Sequence, residues 1–252
     1  MIYITGDIHG SPYRLSTREF PEGKEMTKDD VVIICGDFGL IWDLDENNVE
    51  EKYWLKWLEE KPFTTVFVDG NHENFDRLNT YPVKEWNGGM VHEIRPHVLH
   101  LMRGEVFTIQ GKKFFAFGGA SSHDISDGII DGTKDNWKEK CKELDRCGKY
   151  MYRIKGISWW EQELPTREEM DHGKEKLKEN NMEVDYIISH CCPQEIASVI
   201  SGGFYKPDIL TMYFNEILGT TKFTKWYFGH YHDEKTIMGK FIMLYNSIER
   251  VV

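Results

Sequence analysis

Aspartate and histidine residues stand close together near both ends of this sequence, in types and spacings that suit metal chemistry. Asp7 and His9 are two positions apart in Gly-Asp-Ile-His-Gly, and His230 and His232 repeat this spacing in Gly-His-Tyr-His. In an extended chain, side chains two positions apart point to the same side, so each pair can face one cation. A single Asp-x-His is equally typical of a turn with a capping acid, so these pairs gain meaning only from what accompanies them.

Three further candidate ligands each follow an apolar, β-rich run: Asp37 after residues 31–35, Asn71 after 64–68 and His190 after 184–189. The run before Asp37 is uncharged and mostly β-branched, which predicts a strand buried on both faces. Ligands of open α/β sheets bind outside the carboxyl ends of the strands. We therefore expect one site assembled from several strand ends, with Asp37 at its middle. Adjacent residues point to opposite sides, so Asn71 and His72 are not expected to bind the same metal.

Together these residues provide two carboxylates, one amide and four imidazoles: Asp7, His9, Asp37, Asn71, His190, His230 and His232. This set is too large for one four-coordinate zinc and suits two metal ions. A bridging carboxylate lets two divalent ions sit about 3.5–4 Å apart, share a hydroxide and neutralise a phosphoryl group during in-line attack. Because no cysteine is required, we expect two divalent transition metal ions, manganese first, with iron or zinc as alternatives.

With these motifs in order between residues 6 and 232, the sequence resembles the calcineurin-like metallophosphoesterases. Their signature is Asp-x-His, Gly-Asp, Gly-Asn-His-Glu, a later His and Gly-His-x-His, and every part is present. The resemblance implies an α/β fold, a four-layer αββα sandwich of two mixed β-sheets. It assigns the ligands to two metals: Asp7, His9 and His232 to one, Asn71, His190 and His230 to the other, with Asp37 bridging.

The same resemblance implies a catalytic role for His72. This residue would lie outside the metal shell and stabilise or protonate the leaving oxygen, and Asp69 or Glu73 would orient it. Arg14, Arg103 and Arg153 are candidate substrate-binding residues that would contact phosphate, although surface arginine is the ordinary alternative for each.

Departures from one branch of the family narrow the substrate. Protein Ser/Thr phosphatases carry Gly-Asp-x-x-Asp-Arg-Gly and Arg-Gly-Asn-His-Glu, whereas this chain has Gly-Asp-Phe-Gly-Leu-Ile-Trp and Asp-Gly-Asn-His-Glu. Both phosphate-binding arginines are missing, which argues against a phosphoprotein substrate. The runs at 118–121 and 158–161 resemble a bacterial and phage-type subgroup of small metallophosphoesterases, and the stretch between them looks expanded.

Length and composition favour one large α/β domain. The chain has 252 residues, 40% of them hydrophobic, which is enough to bury a full core. We expect a single domain over 1–252 with a charged, solvated insertion at about 121–160, including a helix near 136–152. Residues 194–206 are expected to form a glycine-bearing loop that walls the site.

Charge and cysteine content bound the partners and the compartment. The net charge of −11 does not suit a general phosphate-backbone binder, and no strong nucleic-acid signal is seen. Five cysteines without a Cys-x-x-Cys pair indicate a reducing compartment. No stretch has the length of a membrane span, and the start of the chain does not resemble a signal peptide. We therefore expect a soluble, cytoplasmic protein without a membrane partner.

The sequence as a whole predicts an enzyme, a metal-dependent phosphoester hydrolase. Its substrate would be a phosphomonoester or phosphodiester that is small, phosphorylated or nucleotide-like. Two alternatives stay open: a non-catalytic interaction scaffold, which would be expected to have lost ligands, and a nuclease of the same fold, which would need a basic, aromatic-studded groove.

Overall fold

The computed structural model describes residues 1–251, and two large sheets form its centre. The strands are β1 (Ile2–Thr5), β2 (Val31–Ile34), β3 (Thr64–Phe67), β4 (Val83–Trp86), β5 (Gly89–Arg95), β6 (Val98–Leu101), β7 (Glu105–Ile109), β8 (Lys112–Phe117), β9 (Gly128–Asp131), β10 (Tyr152–Lys155), β11 (Tyr186–Ser189), β12 (Lys225–Phe228), β13 (Lys235–Ile237), β14 (Phe241–Met243) and β15 (Ile248–Arg250). The α-helices are α1 (Val49–Glu59), α2 (Phe75–Leu78), α3 (Trp137–Arg146), α4 (Arg167–Glu179), α5 (Gln194–Ser201) and α6 (Ile209–Thr220). Three short 3₁₀ helices cover Pro12–Leu15, Pro21–Glu25 and Glu161–Glu163.

Both sheets mix parallel centres with antiparallel edges. The first has the order β15-β1-β2-β3-β6-β5-β4 and the second the order β13-β14-β12-β11-β8-β7. Strands β1, β2, β3 and β6 run parallel, as do β8, β11, β12 and β14. The carboxyl ends of the central strands therefore meet along one rim, where the loops that follow them can converge.

Three apolar clusters show how the layers pack. One lies between the sheets and joins Ile33 of β2 to Phe114 of β8 and Ile188 of β11. The outer face of the first sheet packs under α1 through Leu55. The outer face of the second packs under α4, α5 and α6. The order helix, sheet, sheet, helix confirms the predicted four-layer αββα sandwich of two mixed β-sheets.

The helix predicted near 136–152 is shorter than expected. It ends at Arg146, and Gly148 follows in a left-handed conformation with φ of 70°. Tyr152 instead begins β10, which pairs in parallel with β9. Helix α3 buries none of its residues, so no apolar stripe in the sequence marks where the helix ends.

The loop predicted over 194–206 is also partly wrong, because α5 occupies Gln194–Ser201. Pro193 precedes its first turn, where a missing N–H costs nothing. Ile196 and Ala197 are buried against the second sheet, and Gly202, with φ of 64°, ends the helix. Only the end of this stretch remains a loop. Within residues 1–251, no helix combines the length and apolar character needed to cross a bilayer.

Candidate metal centre

Five strand ends bring the candidate ligands to one place. Asp7 follows β1, Asp37 follows β2, Asn71 follows β3, His190 follows β11 and His230 follows β12. Ligand atoms of Asp7, His9, Asp37 and His232 all lie within 4.8 Å of one another. The sequence expectation that distant segments share one site thus agrees with the arrangement of the chain.

His190 joins this cluster from the second sheet. Its Nε2 lies 3.2 Å from Asp37 Oδ1, and its Nδ1 lies 3.7 Å from Asp7 Oδ1. The ring of His230 is 5.0 Å from that of His190, measured between centroids. Asn71 is buried. The backbone N–H of its neighbour His72 donates to Asp37 Oδ1 at 2.9 Å, which places Asn71 beside the cluster.

Two buried atoms in this group lack the partners that buried polar atoms normally have. Among the described residues, Asn71 Oδ1 and His190 Nε2 have no hydrogen-bond partner. His190 Nδ1 lies 2.8 Å from the carbonyl oxygen of Cys35. If the ring is neutral, Nδ1 donates to that oxygen, so Nε2 presents a bare lone pair towards a carboxylate. Two lone pairs facing each other repel unless a positive charge lies between them.

The charges of the cluster favour that positive charge. Burial lowers the pKa of His190, but the carboxylates of Asp37 and Asp7 outweigh it and raise the pKa to about 10. Burial likewise raises the pKa of Asp37, but His190 and its neighbouring imidazoles leave that pKa well below its usual range. Asp7 and Asp37 are 0% and 2% exposed, and the side chains within ion-pair distance of them are histidines. The donor set therefore fits divalent cations.

Backbone amides and unusual backbone conformations hold the ligands in place. The N–H of His230 donates to both oxygens of Asp7, at 3.0 and 3.1 Å. His9, Asp37, His230 and His232 all have positive φ, at 43°, 43°, 69° and 50°. Non-glycine residues adopt this region at an energetic cost, and such residues concentrate at functional sites.

The glycines before the ligands leave room for carboxylates from other strands. A Cβ atom on Gly70 would lie 2.1 Å from Asp37 Oδ1, and one on Gly229 would lie 1.9 Å from Asp7 Oδ1. These contacts explain why a glycine precedes the ligand at both strand ends.

Gly70→Ala is therefore expected to lower metal content and to slow hydrolysis about 100-fold, because displacing Asp37 by about 1 Å disturbs the whole cluster. Metal content would be measured by elemental analysis after reconstitution with Mn²⁺. Gly219→Ala on α6 is the matched control, since nothing lies within 4 Å of its added Cβ. Wild-type metal content in the Gly70→Ala protein would contradict this reading.

His72 lies beside the cluster with its side chain engaged elsewhere. Its Nε2 is 3.0 Å from Nη2 of Arg153, and arginine can only donate, so we infer that the proton of the neutral ring is on Nδ1. Burial lowers the pKa of His72 to about 4, and Arg153 adds to the effect. The ring stacks on Trp42 at 5.4 Å and meets the ring of His9 edge-on at 5.0 Å. A neutral imidazole with a free Nδ1–H thus stands next to the cluster.

Asp69 and Glu73, which were expected to orient His72, bind other groups. Glu73 accepts the backbone N–H groups of Phe38 and Gly39, at 2.7 and 3.3 Å. Asp69 binds His100 and Arg103. The expectation for Asp69 and Glu73 is therefore wrong, because the backbone and buried cations take both carboxylates. Arg153 contacts the ring instead.

Two of the three arginines expected to contact phosphate are also committed within the protein. Arg103 is 8% exposed and donates through Nε to Asp69 at 3.0 Å and through Nη2 to the carbonyl of Gln162 at 2.7 Å. Arg14 donates to the carbonyls of Asp7 and Tyr245. Arg103 thus neutralises Asp69, and Arg14 supports the backbone that carries Asp7; a contact of either with phosphate stays a prediction.

Arg153, the third, lies inside the site and is tied to acids. Its Nε lies 2.7 Å from Asp124 Oδ1, and its Nη1 lies 3.3 Å from the carbonyl oxygen of Asn71. Its contact with His72 makes it a neighbour of the catalytic candidate. A contact of Arg153 with phosphate stays a prediction.

Sequence reasoning missed a buried chain that reaches Asn71. Glu163 accepts from Ser122 Oγ at 2.6 Å, and that hydroxyl lies 3.5 Å from Asn71 Nδ2. Burial raises the pKa of Glu163 to about 7, with Ser122 opposing. Ser122 and Glu163 lie just outside the runs at 118–121 and 158–161 noted for family resemblance, and no local spacing marks them as partners of a residue some 50 to 90 positions away.

The fold and the site define a class of protein, and comparison with known sequences agrees. Residues 1–234 match the family model for calcineurin-like phosphoesterases, so the chain belongs to that family of metal-dependent phosphoester hydrolases. This confirms the family resemblance and the kind of enzyme that the motifs predicted. The bacterial and phage-type subgroup stays a prediction.

Individual relatives are more distant. Lariat debranching enzyme A of Xenopus laevis is 27% identical over 140 residues, which cover 50% of this chain and 25% of that protein. The lariat debranching enzyme of Danio rerio is 23% identical over 208 residues, covering 77% of this chain and 31% of that protein. The matched part of the chain thus spans a quarter to a third of the length of these relatives.

Proposed function

We propose that this protein is a two-metal phosphoester hydrolase whose seven candidate ligands hold a pair of divalent transition metal ions. Asp7, His9 and His232 would hold one ion, Asn71, His190 and His230 the other, and Asp37 would contact both. The observation that carries the proposal is that His190 Nε2, which has no hydrogen-bond partner among the described residues, is enclosed with the buried carboxylates of Asp37 and Asp7 at the meeting point of five strand ends, a place that favours positive charge. Manganese is the first candidate, with iron or zinc as alternatives.

Bound metal ions would lower the pKa of a water molecule and neutralise charge on the phosphoryl group. The residues of the chain supply the rest. The backbone N–H groups of His230 and His72 hold the carboxylates of Asp7 and Asp37. The Nδ1–H of the neutral His72 can donate a hydrogen bond to the leaving oxygen, and Trp42 covers one face of the ring.

The substrate would be a small or nucleotide-like phosphomonoester or phosphodiester. Rates on p-nitrophenyl phosphate and on bis(p-nitrophenyl) phosphate, with Mn²⁺ supplied, test this proposal and separate the two ester classes. Hydrolysis of at least one ester, lost on adding EDTA and restored by Mn²⁺, is expected. No hydrolysis of either ester with Mn²⁺ present would contradict the proposal.

A nuclease is a second candidate, because the relatives found are lariat debranching enzymes. The net charge of −11 disfavours a long polyanion bound along the surface. A short oligonucleotide engaging only the site escapes that objection. Degradation of a labelled RNA lariat, tested against a linear RNA of the same sequence, would favour this candidate.

We further propose that residues 1–252 form one domain and that the inserted segment at about 121–160 forms one wall of the substrate entrance. Arg153 from this segment contacts His72, and Ser121, His123 and Ser126 line a cavity shared with His230. The segment thus reaches both the catalytic candidate and a candidate ligand.

Replacing residues 123–157 by a short Gly-Ser linker is therefore expected to change the preference between small and bulky phosphodiesters about tenfold. The replacement also removes Arg153, so Arg153→Ala in the full chain is the matched control. Ratios of kcat/KM for the two diesters would be compared in both proteins. The same ratio in both, with the linker variant folded by circular dichroism, would show that the segment does not form the entrance.

A further inference from the structure

A pair of stacked tyrosines stands at the side of the metal cluster and has no part in the chemistry described above. The rings of Tyr205 and Tyr231 lie 5.4 Å apart between centroids at an angle of 28°. Tyr231 sits between the candidate ligands His230 and His232 in sequence. All four residues line one cavity of about 700 Å³. A group bound on the tyrosines is therefore connected to the cluster through a single open space.

We propose that this cavity is a nucleobase subsite, which receives the base of a nucleotide whose phosphate lies at the metal cluster. The proposal rests on the proposed function for the position of the phosphate, but not for the binding of the base. The volume of the cavity, about 700 Å³, is within the range of cavities that hold small organic ligands. A nucleotide has both parts that the cavity and the cluster offer to bind, a flat aromatic ring and a phosphate.

Tyr231 is held in place by its neighbours, and Tyr205 is exposed to solvent. The hydroxyl of Tyr231 accepts from Cys192 Sγ at 3.3 Å, and its ring packs edge-on against Phe228 at 5.9 Å. Tyr205 is 47% exposed and its neighbour Phe204 is 88% exposed. Stacking on exposed aromatic rings is a general way in which proteins bind bases.

Gln194 adds a polar contact of defined chemistry to the same cavity. Its amide nitrogen donates to the carbonyl of Tyr205 at 2.9 Å and to Ser198 Oγ at 3.2 Å. Its Oε1 is buried and has no hydrogen-bond partner among the described residues. Gln194 thus anchors the stacking residue and leaves one acceptor free. A ligand N–H group, such as the exocyclic amine of adenine, would satisfy this acceptor once a small shift of the side chain brings Oε1 to the cavity surface.

Adenine is favoured over a base that carries an oxygen in place of this amine. Hypoxanthine has the same size and stacking surface as adenine, but it presents a carbonyl where adenine presents an amino group. A carbonyl facing Gln194 Oε1 would leave two acceptors opposed, which costs binding free energy. Adenosine and inosine therefore separate the polar contact from the stacking contact.

The test measures binding of nucleosides without phosphate, so that neither hydrolysis nor metal loading affects the result. Chemical-shift titrations of the full chain would use adenosine, inosine and methyl riboside. We expect adenosine to bind at least about threefold more tightly than inosine, and methyl riboside to show no saturable binding. Tyr205→Ala should weaken adenosine binding about tenfold, whereas Tyr205→Phe, which keeps the ring, should retain it. Tyr53→Ala is the control, because Tyr53 lies on α1 and is 59% exposed.

Other binding results would refute either the subsite itself or its contact with Gln194. No saturable adenosine binding, or equal weakening by Tyr205→Ala and Tyr53→Ala, would refute the subsite. Equal affinity for adenosine and inosine would refute the contact with Gln194. Failure of the proposed function looks different, since it would appear as no Mn²⁺-dependent hydrolysis of any ester while adenosine still binds.

Discussion

Asp37→Asn is expected to reduce hydrolysis of a phosphoester by at least about 1,000-fold and to lower metal content below that of the wild-type protein. The lost negative charge would weaken both cation positions, because Asp37 lies between the groups from the two sheets. Asparagine tolerates the left-handed backbone at this position, so the fold should survive. Elemental analysis and steady-state rates with Mn²⁺ measure the two effects.

Asp171→Asn on the exposed face of α4 is the matched control. Its carboxylate lies 3.8 Å from Nε of Arg167 and is 60% exposed, so the same chemical change there should alter neither metal content nor rate. If Asp37→Asn kept the metal content and the rate of the control, Asp37 would not be a shared ligand.

His72→Ala is expected to give the opposite pattern, with wild-type metal content and a rate lower by roughly 100- to 1,000-fold, the cost of removing one hydrogen-bond donor from developing charge on the leaving oxygen. Metal content should be spared because Asp37 is held by the backbone N–H of His72, which alanine retains. The lost side chain removes only the Nδ1–H donor beside the cluster.

The leaving group provides the sharper part of this test. A p-nitrophenolate spreads its charge over the ring, whereas an alkoxide keeps it on one oxygen, so loss of a hydrogen bond to that oxygen should lower the rate much more for an alkyl phosphoester. Equal losses on the two substrates would argue against donation to the leaving oxygen. Metal loss equal to that of Asp37→Asn would contradict the separation of the two roles.

The arrangement of the candidate ligands could be predicted from sequence because it follows from local rules. Apolar runs ending in glycine and then Asp37, Asn71 or His230 predict parallel strands whose carboxyl ends share one rim. The spacing of His230 and His232 was interpreted from an extended chain. In the structure both residues have positive φ, so their side chains extend from a left-handed backbone and not from an extended one. The position in the fold was predictable, and the backbone conformation was not.

The arginines show why other parts were beyond sequence reasoning. Arg14, Arg103 and Arg153 have the same residue type and no distinctive neighbours, yet their guanidinium groups bind carbonyls, a buried carboxylate and a histidine ring respectively. Which partner an arginine finds is decided by contacts between distant segments. The pairing of Ser122 with Glu163 and the stacking of Tyr205 on Tyr231 arise in the same way.

The helix α5 was missed for a different reason. Residues 194–206 contain two adjacent glycines and lie between Pro193 and Pro207, which indicates a loop by composition. The first eight residues nevertheless form a helix, since Ile196 and Ala197 gain more from burial against the second sheet than local propensity opposes. Tertiary packing outweighed the local signal there.

The most direct test of the central claim is the anomalous scattering of a crystal of the protein grown with Mn²⁺. The account predicts two adjacent peaks, one contacted by Asp7, His9 and His232, the other by Asn71, His190 and His230, with Asp37 touching both. A map with no peak at the meeting of these strand ends, or with a single ion held by other residues, would contradict it.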